Sequence, residues 1–293
     1  MKIGLFGNKF TESFDGVIYH LLKKLSSRDD VVISTHRNFS DFLVNEKKYA
    51  FQFKNYFTNH IDIPKDLDFL ISIGGDGTFL ESVTLVRDSG IPIVGFNSGR
   101  LGFLANISSN DIDKALQDLL NKRFILEERS LVGLYCQECL FGDFAFALNE
   151  VTIQKTTSSL ITIHTYINDV FLNSYWTDGL IIATPTGSTA YSLSVGGPIV
   201  TPDSQNFIIS PIAPHNLNVR PIIIPDSSVL KLKVEGRTSD YNLTLDSRSA
   251  VIEIGMEIIV KKSPFTINLI KLNTIDYFST LRNKLMWGAD KRN

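Results

Sequence analysis

One aspartate enclosed by glycines, at positions 74 to 78, is the part of this chain best suited to chemistry. An apolar run leads into Gly-Gly-Asp-Gly-Thr, and an amphipathic pattern follows, so we expect a buried strand, a tight turn and a helix start. Glycines let the backbone approach a ligand, and the free N–H groups of a helix start favour phosphate. A carboxylate there suits phosphoryl transfer, because it can hold Mg²⁺ or accept a proton from an attacking hydroxyl.

The same turn has a structural interpretation, in which Asp76 simply caps the helix. Glycine-rich turns between a strand and a helix occur in nucleotide-binding folds and in others. The turn alone therefore leaves both interpretations open.

A second candidate segment covers residues 178–198. An apolar strand runs into Thr-Pro-Thr-Gly-Ser-Thr at 184–189, and a short helical pattern and Gly-Gly-Pro follow. A helix cap needs one residue, such as Ser188 or Thr189, so the crowd of hydroxyl groups favours contact with a ligand that carries phosphates and ribose. Asn149 and Glu150 close another predicted strand, where they are either an exposed pair or acceptors for ribose hydroxyls. From the residues alone, the exposed pair is favoured.

The elements that position these residues fall into two patterns. Strands at 3–7, 31–34, 67–73 and 91–96 alternate with helices at 14–25, at 39–49 and after Thr78, which predicts a doubly wound parallel sheet. Ligands bind such sheets at the carboxyl ends of the strands, where Asp76 and the turn at 97–100 lie. After a helix near 111–120, the chain from 124 to 272 is mostly short strands, which predicts a β-sandwich-like domain. Residues 274–287 return to helical spacing.

Composition excludes several classes of protein. The chain has 293 residues and a net charge of −2, so no basic field indicates a nucleic-acid partner. No apolar run is long enough for a membrane span and the N-terminus does not resemble a signal peptide, so we expect a cytoplasmic protein with no membrane partner. Cys136 and Cys139 lack the second pair that a structural zinc site needs, and 131–146 predicts strands rather than the helix start of a redox motif. We expect two unremarkable thiols.

Four segments together resemble NAD kinase over nearly the whole chain. They are 74–78, Asn-Ser-Gly-Arg-Leu-Gly-Phe-Leu at 97–104, Asn-Glu at 149–150, and 178–198. Gly-Gly-Asp-Gly alone also occurs in diacylglycerol-type lipid kinases and phosphofructokinases, so the resemblance depends on the combination with 184–192. It implies an α/β N-terminal domain (doubly wound, phosphofructokinase-like) at 1–106, an all-β sandwich-like domain at 107–272, and a C-terminal helix at 273–293 that returns to the first domain.

The resemblance also implies an activity. Such proteins transfer the γ-phosphoryl group of ATP, or in some members of polyphosphate, to the 2′-hydroxyl of the adenosine ribose of NAD. They require Mg²⁺ or another divalent metal. They form homodimers or homotetramers in which a neighbouring subunit completes the active site.

Matching motifs carry the family's site residues onto this chain. Asp76 would accept the proton of the 2′-hydroxyl, and Asp178 would contact the nicotinamide side, from the partner chain in some arrangements. Asn149 and Glu150 would hold adenosine ribose and adenine. The remaining residues expected to bind the nucleotides are Gly74, Gly75, Gly77, Thr78, Thr189, Ala190, Tyr191 and Ser194.

Two positions depart from the family pattern. Trp176 stands where many bacterial members carry arginine, a residue associated with the choice between NAD and NADH. Asp246-Ser247-Arg248 replaces Asp-Gly-Gln, and Arg248 has no assigned role, although its charge could touch phosphate.

Two other functions remain to be weighed. A lipid kinase built on the same turn is disfavoured, because the chain has no amphipathic membrane-facing pattern and the 149–150 and 184–189 segments suit a dinucleotide. A non-enzymatic NAD(H)-binding regulator would be expected to lack the acidic residue, but Asp76 is present.

Overall fold

The computed structural model describes residues 1–10, 12–99, 101–138, 140–237, 239–273 and 276–288. The chain forms two compact units. Unit 1 comprises Met1–Glu128 and Ile267–Asn293, and unit 2 comprises Arg129–Thr266. The domain limits at 106 and 272 that the sequence suggests stay a prediction.

Unit 1 is built on a parallel sheet. Its strands are β1 (Lys2–Gly7), β2 (Val32–His36), β3 (Asn55–Phe57), β4 (Phe69–Gly74) and β5 (Ile93–Asn97). They lie in the order β5-β4-β1-β2-β3, and every residue of β4 is buried, as expected for a strand covered on both faces. The chain proceeds from β1 to β2 and β3 on one side of the sheet and then to β4 and β5 on the other, so its direction across the sheet reverses between β1 and β4. Doubly wound sheets bind ligands at such a point. The predicted α/β architecture is confirmed.

Six α-helices are found among the described residues, and α5 alone belongs to unit 2. They are α1 (Glu12–Ser26), α2 (Arg37–Asp41), α3 (Asp76–Val86), α4 (Ile112–Leu120), α5 (Tyr191–Ser194) and α6 (Tyr277–Leu285). The carboxylate of Asp276 caps α6 by accepting a hydrogen bond from the Ser279 N–H at 2.9 Å. The first residues of the tail predicted as helical, Thr274 and Ile275, lie outside the described residues. None of the described helices combines the length and apolar character needed to cross a bilayer.

The helix predicted at 39–49 is wrong in detail. Helix α2 ends at Asp41, and a wider π-helical turn follows at Phe42–Glu46. The wide turn keeps the rings of Phe39 and Phe42 together against Phe10, with ring centroids 6.4 and 5.1 Å away. Tertiary packing therefore overrides the regular helical period here.

Unit 2 contains two antiparallel sheets. Its strands are β6 (Phe124–Tyr135, which begins in unit 1), β7 (Phe146–Ala147), β8 (Glu150–Lys155), β9 (Ile161–Ile167), β10 (Val170–Thr177), β11 (Gly179–Ala183), β12 (Asn206–Ile212), β13 (Ile222–Pro225), β14 (Leu230–Gly236), β15 (Asp240–Leu245), β16 (Arg248–Glu253) and β17 (Glu257–Leu272, which ends in unit 1). One sheet has the order β10-β9-β14-β17 and the other β13-β12-β11-β8-β15-β16. Buried side chains of both sheets, such as Ile163, Ile153 and Leu243, form one core, so the sandwich prediction is confirmed.

Candidate active site

Asp76 anchors a loop of unit 1. It is the first residue of α3, whose N-cap is Gly75 with no side-chain cap, so the capping interpretation is wrong. The Asp76 carboxylate accepts hydrogen bonds from three consecutive backbone amides. Oδ2 accepts from Phe103 N–H at 3.0 Å, and Oδ1 accepts from Leu104 and Ala105 N–H at 2.9 and 3.0 Å.

A fourth partner comes from the C-terminal helix. Lys284 of α6 places its Nζ 3.1 Å from Asp76 Oδ2, and each side chain keeps 30% of its surface exposed. Burial raises the pKa of Asp76, but the three amides and the ammonium group outweigh burial and hold this pKa below its usual range. Asp76 is therefore ionised at neutral pH.

The loop that Asp76 anchors is internally braced. The Asn97 side-chain amide donates to Ala105 O at 3.1 Å, and its Oδ1 accepts from Gly99 N–H at 2.8 Å. A Cβ at Gly102 would lie 2.0 Å from Asp76 Oδ1, so the close approach of loop and carboxylate requires glycine there. Arg100, part of the motif that carries the resemblance, lies outside the described residues.

The three glycines of the turn have different surroundings. A Cβ at Gly74 would lie 2.3 Å from Thr78 Oγ1, so this glycine is needed for packing. A Cβ at Gly75 or Gly77 would meet no described atom within 4 Å. Open space therefore adjoins the start of α3, where the first N–H groups of a helix have no intrahelical partner. A phosphate could approach the backbone at these two positions.

In unit 2, a buried aspartate organises the predicted Asn149 and Glu150. Asp246 accepts from the N–H groups of Leu148 at 2.9 Å, Asn149 at 2.8 Å and Glu150 at 3.2 Å. Sequence reasoning gave Asp246 no role, although it noted the segment. The available signal was a turn aspartate between two strand patterns, and Asp246 does adopt a positive φ of 52°.

Glu150 is neutral at physiological pH. Burial and the nearby charge of Asp246 raise the pKa of Glu150 to about 8, although the Tyr191 N–H opposes them. Its Oε2 is buried and has no hydrogen-bond partner within the described residues. Burial also raises the pKa of Asp246, but its three N–H donors favour the ionised form, so we assign the proton to Glu150 and the charge to Asp246. A neutral Glu150 can donate one hydrogen bond and accept others.

The hydroxyl-rich turn packs on Asn149. The Thr184 N–H donates to Asn149 O at 2.8 Å, Thr184 Oγ1 donates to Leu148 O at 2.6 Å, and the Gly187 N–H donates to Thr184 Oγ1 at 3.1 Å. A Cβ at Gly187 would lie 2.2 Å from Asn149 O. The Thr184 hydroxyl, one of those that the sequence suggests for a ligand, therefore holds the turn in place.

Other predicted residues line the rest of this segment. The Thr189 hydroxyl donates to Thr186 O at 3.3 Å, and Ala190 is half-buried. Tyr191 and Ser194 lie on the short helix α5 with exposed side chains, and the Tyr191 N–H reaches Glu150. The fold thus brings 149–150 and 184–191 together.

Asp178 lies apart from that group. It precedes β11, whereas the Thr184 turn follows β11, and the five residues between them span roughly 17 Å. Asp178 forms an ion pair with Lys155, with Nζ and Oδ1 2.5 Å apart. Trp176, 51% exposed, packs against the ring of His215 with centroids 5.0 Å apart.

Arg248 is engaged by its own unit. Its guanidinium donates to Phe144 O at 2.6 Å and to Phe146 O, and it lies 5.2 Å from the centroid of the Phe144 ring. Arg248 therefore braces the strand-end region that precedes Asn149. The sequence left the role of Arg248 unassigned and only allowed contact with phosphate, and the contacts described for its guanidinium are with backbone carbonyls and an aromatic ring of unit 2.

A preformed metal centre is not found in the part of the chain that the structure describes. It contains no group of three or more His, Cys, Asp or Glu side chains arranged to hold an ion. The acceptor positions of Asp76 are filled by amides and an ammonium group, which does not fit a resident metal. The Cys136 thiol donates to Glu138 O at 3.0 Å, and Cys139 lies outside the described residues.

Comparison with known proteins assigns a family to this geometry. The model of the ATP-NAD kinase N-terminal domain matches residues 15–124, and that of the C-terminal domain matches 148–272. The NAD kinases of Flavobacterium psychrophilum and Cytophaga hutchinsonii are 47% and 46% identical over 100% of both chains. Yeast NADH kinase complexed with NADH has a TM-score of 0.84 at 24% identity, covering 99% of this chain and 89% of that chain. An Archaeoglobus fulgidus NAD kinase in complex with ATP has a TM-score of 0.73 at 24% identity, covering 98% and 99%, and both likenesses show the fold. This chain belongs to the NAD kinase family.

Proposed function

We propose that this protein is an NAD kinase that transfers the γ-phosphoryl group of ATP to the 2′-hydroxyl of the adenosine ribose of NAD. The observation that carries the proposal is the ionised, loop-anchored Asp76 beside two glycines that border open space. In this step, the 2′-oxygen forms a bond to the γ-phosphorus. The bond between the γ-phosphorus and the β,γ-bridging oxygen breaks, and that oxygen leaves with ADP. The hydroxyl proton passes to Asp76, and the products are NADP and ADP.

The lowered pKa of Asp76 is compatible with this role. Phosphoryl transfer has a loose transition state, so catalysis depends mainly on position and charge and the hydroxyl loses its proton late. A weak base that is always ionised therefore suffices. The backbone N–H groups beside Gly75 and Gly77 would face phosphate oxygens, with Gly74 and Thr78 supporting the turn.

Unit 2 would bind the dinucleotide. We assign adenosine ribose and adenine to Asn149 and the neutral Glu150, which together offer both donors and acceptors. Thr189, Ala190, Tyr191 and Ser194 would line the same pocket. Asp178, at the other end of β11, would contact the nicotinamide side of the NAD molecule that is bound in a neighbouring subunit's site.

A divalent cation is proposed to enter with ATP. Mg²⁺ is usually bound through one or two carboxylates together with the phosphates of the nucleotide. When bound, it would neutralise phosphate charge. We also propose a cytoplasmic enzyme that is a homodimer or homotetramer.

The test is a coupled assay with purified protein, ATP, Mg²⁺ and NAD. NADP should form, and EDTA should abolish its formation because the phosphate charge is no longer neutralised. Asp76→Asn should lower kcat by at least about 10²-fold, the typical contribution of a general base. NAD binding and thermal unfolding are measured on the same variant to check its fold.

Each outcome bears on a different part of the proposal. If the wild-type protein makes no NADP at high concentration, the function is wrong. If Asp76→Asn keeps most of its activity, only the base assignment is wrong. Repeating the assay with polyphosphate and with NADH then determines the donor and the redox form.

A further inference from the structure

Lys284 contacts Asp76 although none of the family motifs includes it. Helix α6 presents Tyr277, Thr280, Leu281 and Lys284 on one face, the spacing i, i+3, i+4 and i+7. Thr280 and Leu281 are buried. The Tyr277 ring lies 6.4 Å from the Phe103 ring, and Lys284 Nζ lies 4.8 Å from the same ring centroid. Residues near both ends of helix α6 therefore contact Phe103, which belongs to the segment that binds Asp76.

The partners of the Asp76 carboxylate differ in how easily they can leave. A carboxylate has about four acceptor positions, and four hydrogen bonds from described residues fill them. Three donors are consecutive backbone amides, and the Asn97 side chain and the Gly102 N–H hold their loop through Ala105 O. Lys284 alone is a flexible side chain, and a partly exposed ion pair contributes little to stability.

No other charged group competes for this position among the described residues that pack around Asp76. The segment from 101 to 105 contributes no titratable side chain within its described positions. On α3 itself, Glu81 accepts a hydrogen bond from the Asn8 amide at 3.1 Å. On α6, Arg282 acts on Asp276 at the opposite end of the helix. The 2′-hydroxyl that receives the phosphoryl group must therefore take the place of Lys284 when it approaches Asp76 Oδ2.

We propose that Lys284 is an exchangeable partner of Asp76. When NAD binds, the Lys284 ammonium group leaves Asp76 Oδ2, which then accepts from the 2′-hydroxyl, and the ammonium group moves to the phosphates of the donor nucleotide. The inference rests on the proposed function, because it takes Asp76 as the proton acceptor. It makes Lys284 a catalytic residue that touches substrate phosphate. An ammonium group there stabilises charge on the transferred group, and a charge-free replacement cannot.

Lys284→Met tests the proposal, because it keeps the apolar stem over Phe103 and removes the charge. We expect kcat to fall at least tenfold and the KM for ATP to rise at least fivefold. The Kd for NAD measured without ATP should stay within twofold or become tighter, since the hydroxyl no longer displaces a cation. Lys284→Arg should recover part of kcat, and Arg282→Met, which removes a charge from the same helix, should stay within twofold of wild type.

The outcomes separate this inference from the proposed function. If Lys284→Met stays within twofold of wild type in kcat and in the KM for ATP, the exchange does not occur. If NAD binding without ATP weakens as much as ATP binding, Lys284 only supports the loop and the inference is wrong. Lys284→Gln gives the same comparison if the Met variant misfolds. Asp76→Asn in parallel tests the base itself, so its retention of activity would overturn the base assignment on which this inference rests, whereas a wild-type protein that makes no NADP would overturn the proposed function.

Discussion

Two carboxylates of the candidate site have opposite ionisation states, for local reasons. Asp76 receives three amide donors and an ammonium group, which more than offset its burial, so it remains charged. Glu150 is buried near the charge of Asp246, and its Oε2 has no partner among the described residues, so it keeps its proton. A charged group suits proton acceptance, and a neutral one suits recognition of a ligand by donated and accepted hydrogen bonds. The environment of each side chain therefore separates catalysis from binding.

The raised pKa of Glu150 predicts how stability depends on pH. Between pH 4.5 and about 8, folded Glu150 keeps a proton that the unfolded chain has released, so the contribution of Glu150 to the free energy of unfolding must fall as pH rises through this window. Glu150→Gln removes this titration. The Tm of Glu150→Gln minus the Tm of wild type, measured without NAD, should increase by about 5 °C from pH 5 to pH 8.5. Glu253→Gln, at an exposed position on β16, is the control. Parallel Tm curves for wild type and Glu150→Gln would contradict the assignment of the proton.

At the scale of elements, the sequence predicts what is local. The β4–turn–α3 unit and the turn after β11 follow from contiguous patterns of apolar residues, glycine and hydroxyl groups. Lys284 follows Asp76 by 208 residues, and Asp246 follows Leu148 by 98, so no spacing rule relates either pair. The sequence therefore predicts the two motifs and the fold class, while the partners that set their charge depend on tertiary structure.

The turn after β11 gives a prediction about an element. Alanine at Gly187 would place its Cβ 2.2 Å from Asn149 O, and Asn149 cannot move freely because Asp246 and Thr184 bind its backbone. We expect Gly187→Ala to lower the free energy of unfolding by about 1–3 kcal/mol. NAD affinity should fall at least about tenfold, the equivalent of 1.4 kcal/mol. Calorimetric titration and thermal unfolding measure the two effects.

Gly16→Ala is the matched control for this change. Gly16 lies in α1 and a Cβ there would meet no described atom within 4 Å, so alanine should be neutral or stabilise by up to about 1 kcal/mol. Normal NAD affinity in Gly187→Ala would show that the turn does not position Asn149 for the dinucleotide.

At the scale of the whole molecule, unit 2 has surfaces suited to self-association. Strand β10 lies at the edge of one sheet and exposes 70% of Val170, and Phe171 beside it is 55% exposed. Strand β13 lies at the edge of the other sheet and exposes 49% of Ile223. Exposed apolar edges are unusual unless another chain covers them. They support the proposed homo-oligomer.

Association should be required for full activity if a neighbouring subunit supplies Asp178. Light scattering at micromolar concentration should give two or four times the mass of one chain, 32.8 kDa. Specific activity should then fall when the enzyme is diluted below its dissociation constant, since separated subunits lack Asp178 in their sites, and added inert protein should not restore it. Asp178→Asn should lower activity in the oligomer without changing its mass. A monomer with constant specific activity on dilution would contradict the shared site, because one chain would then supply every group that the reaction needs.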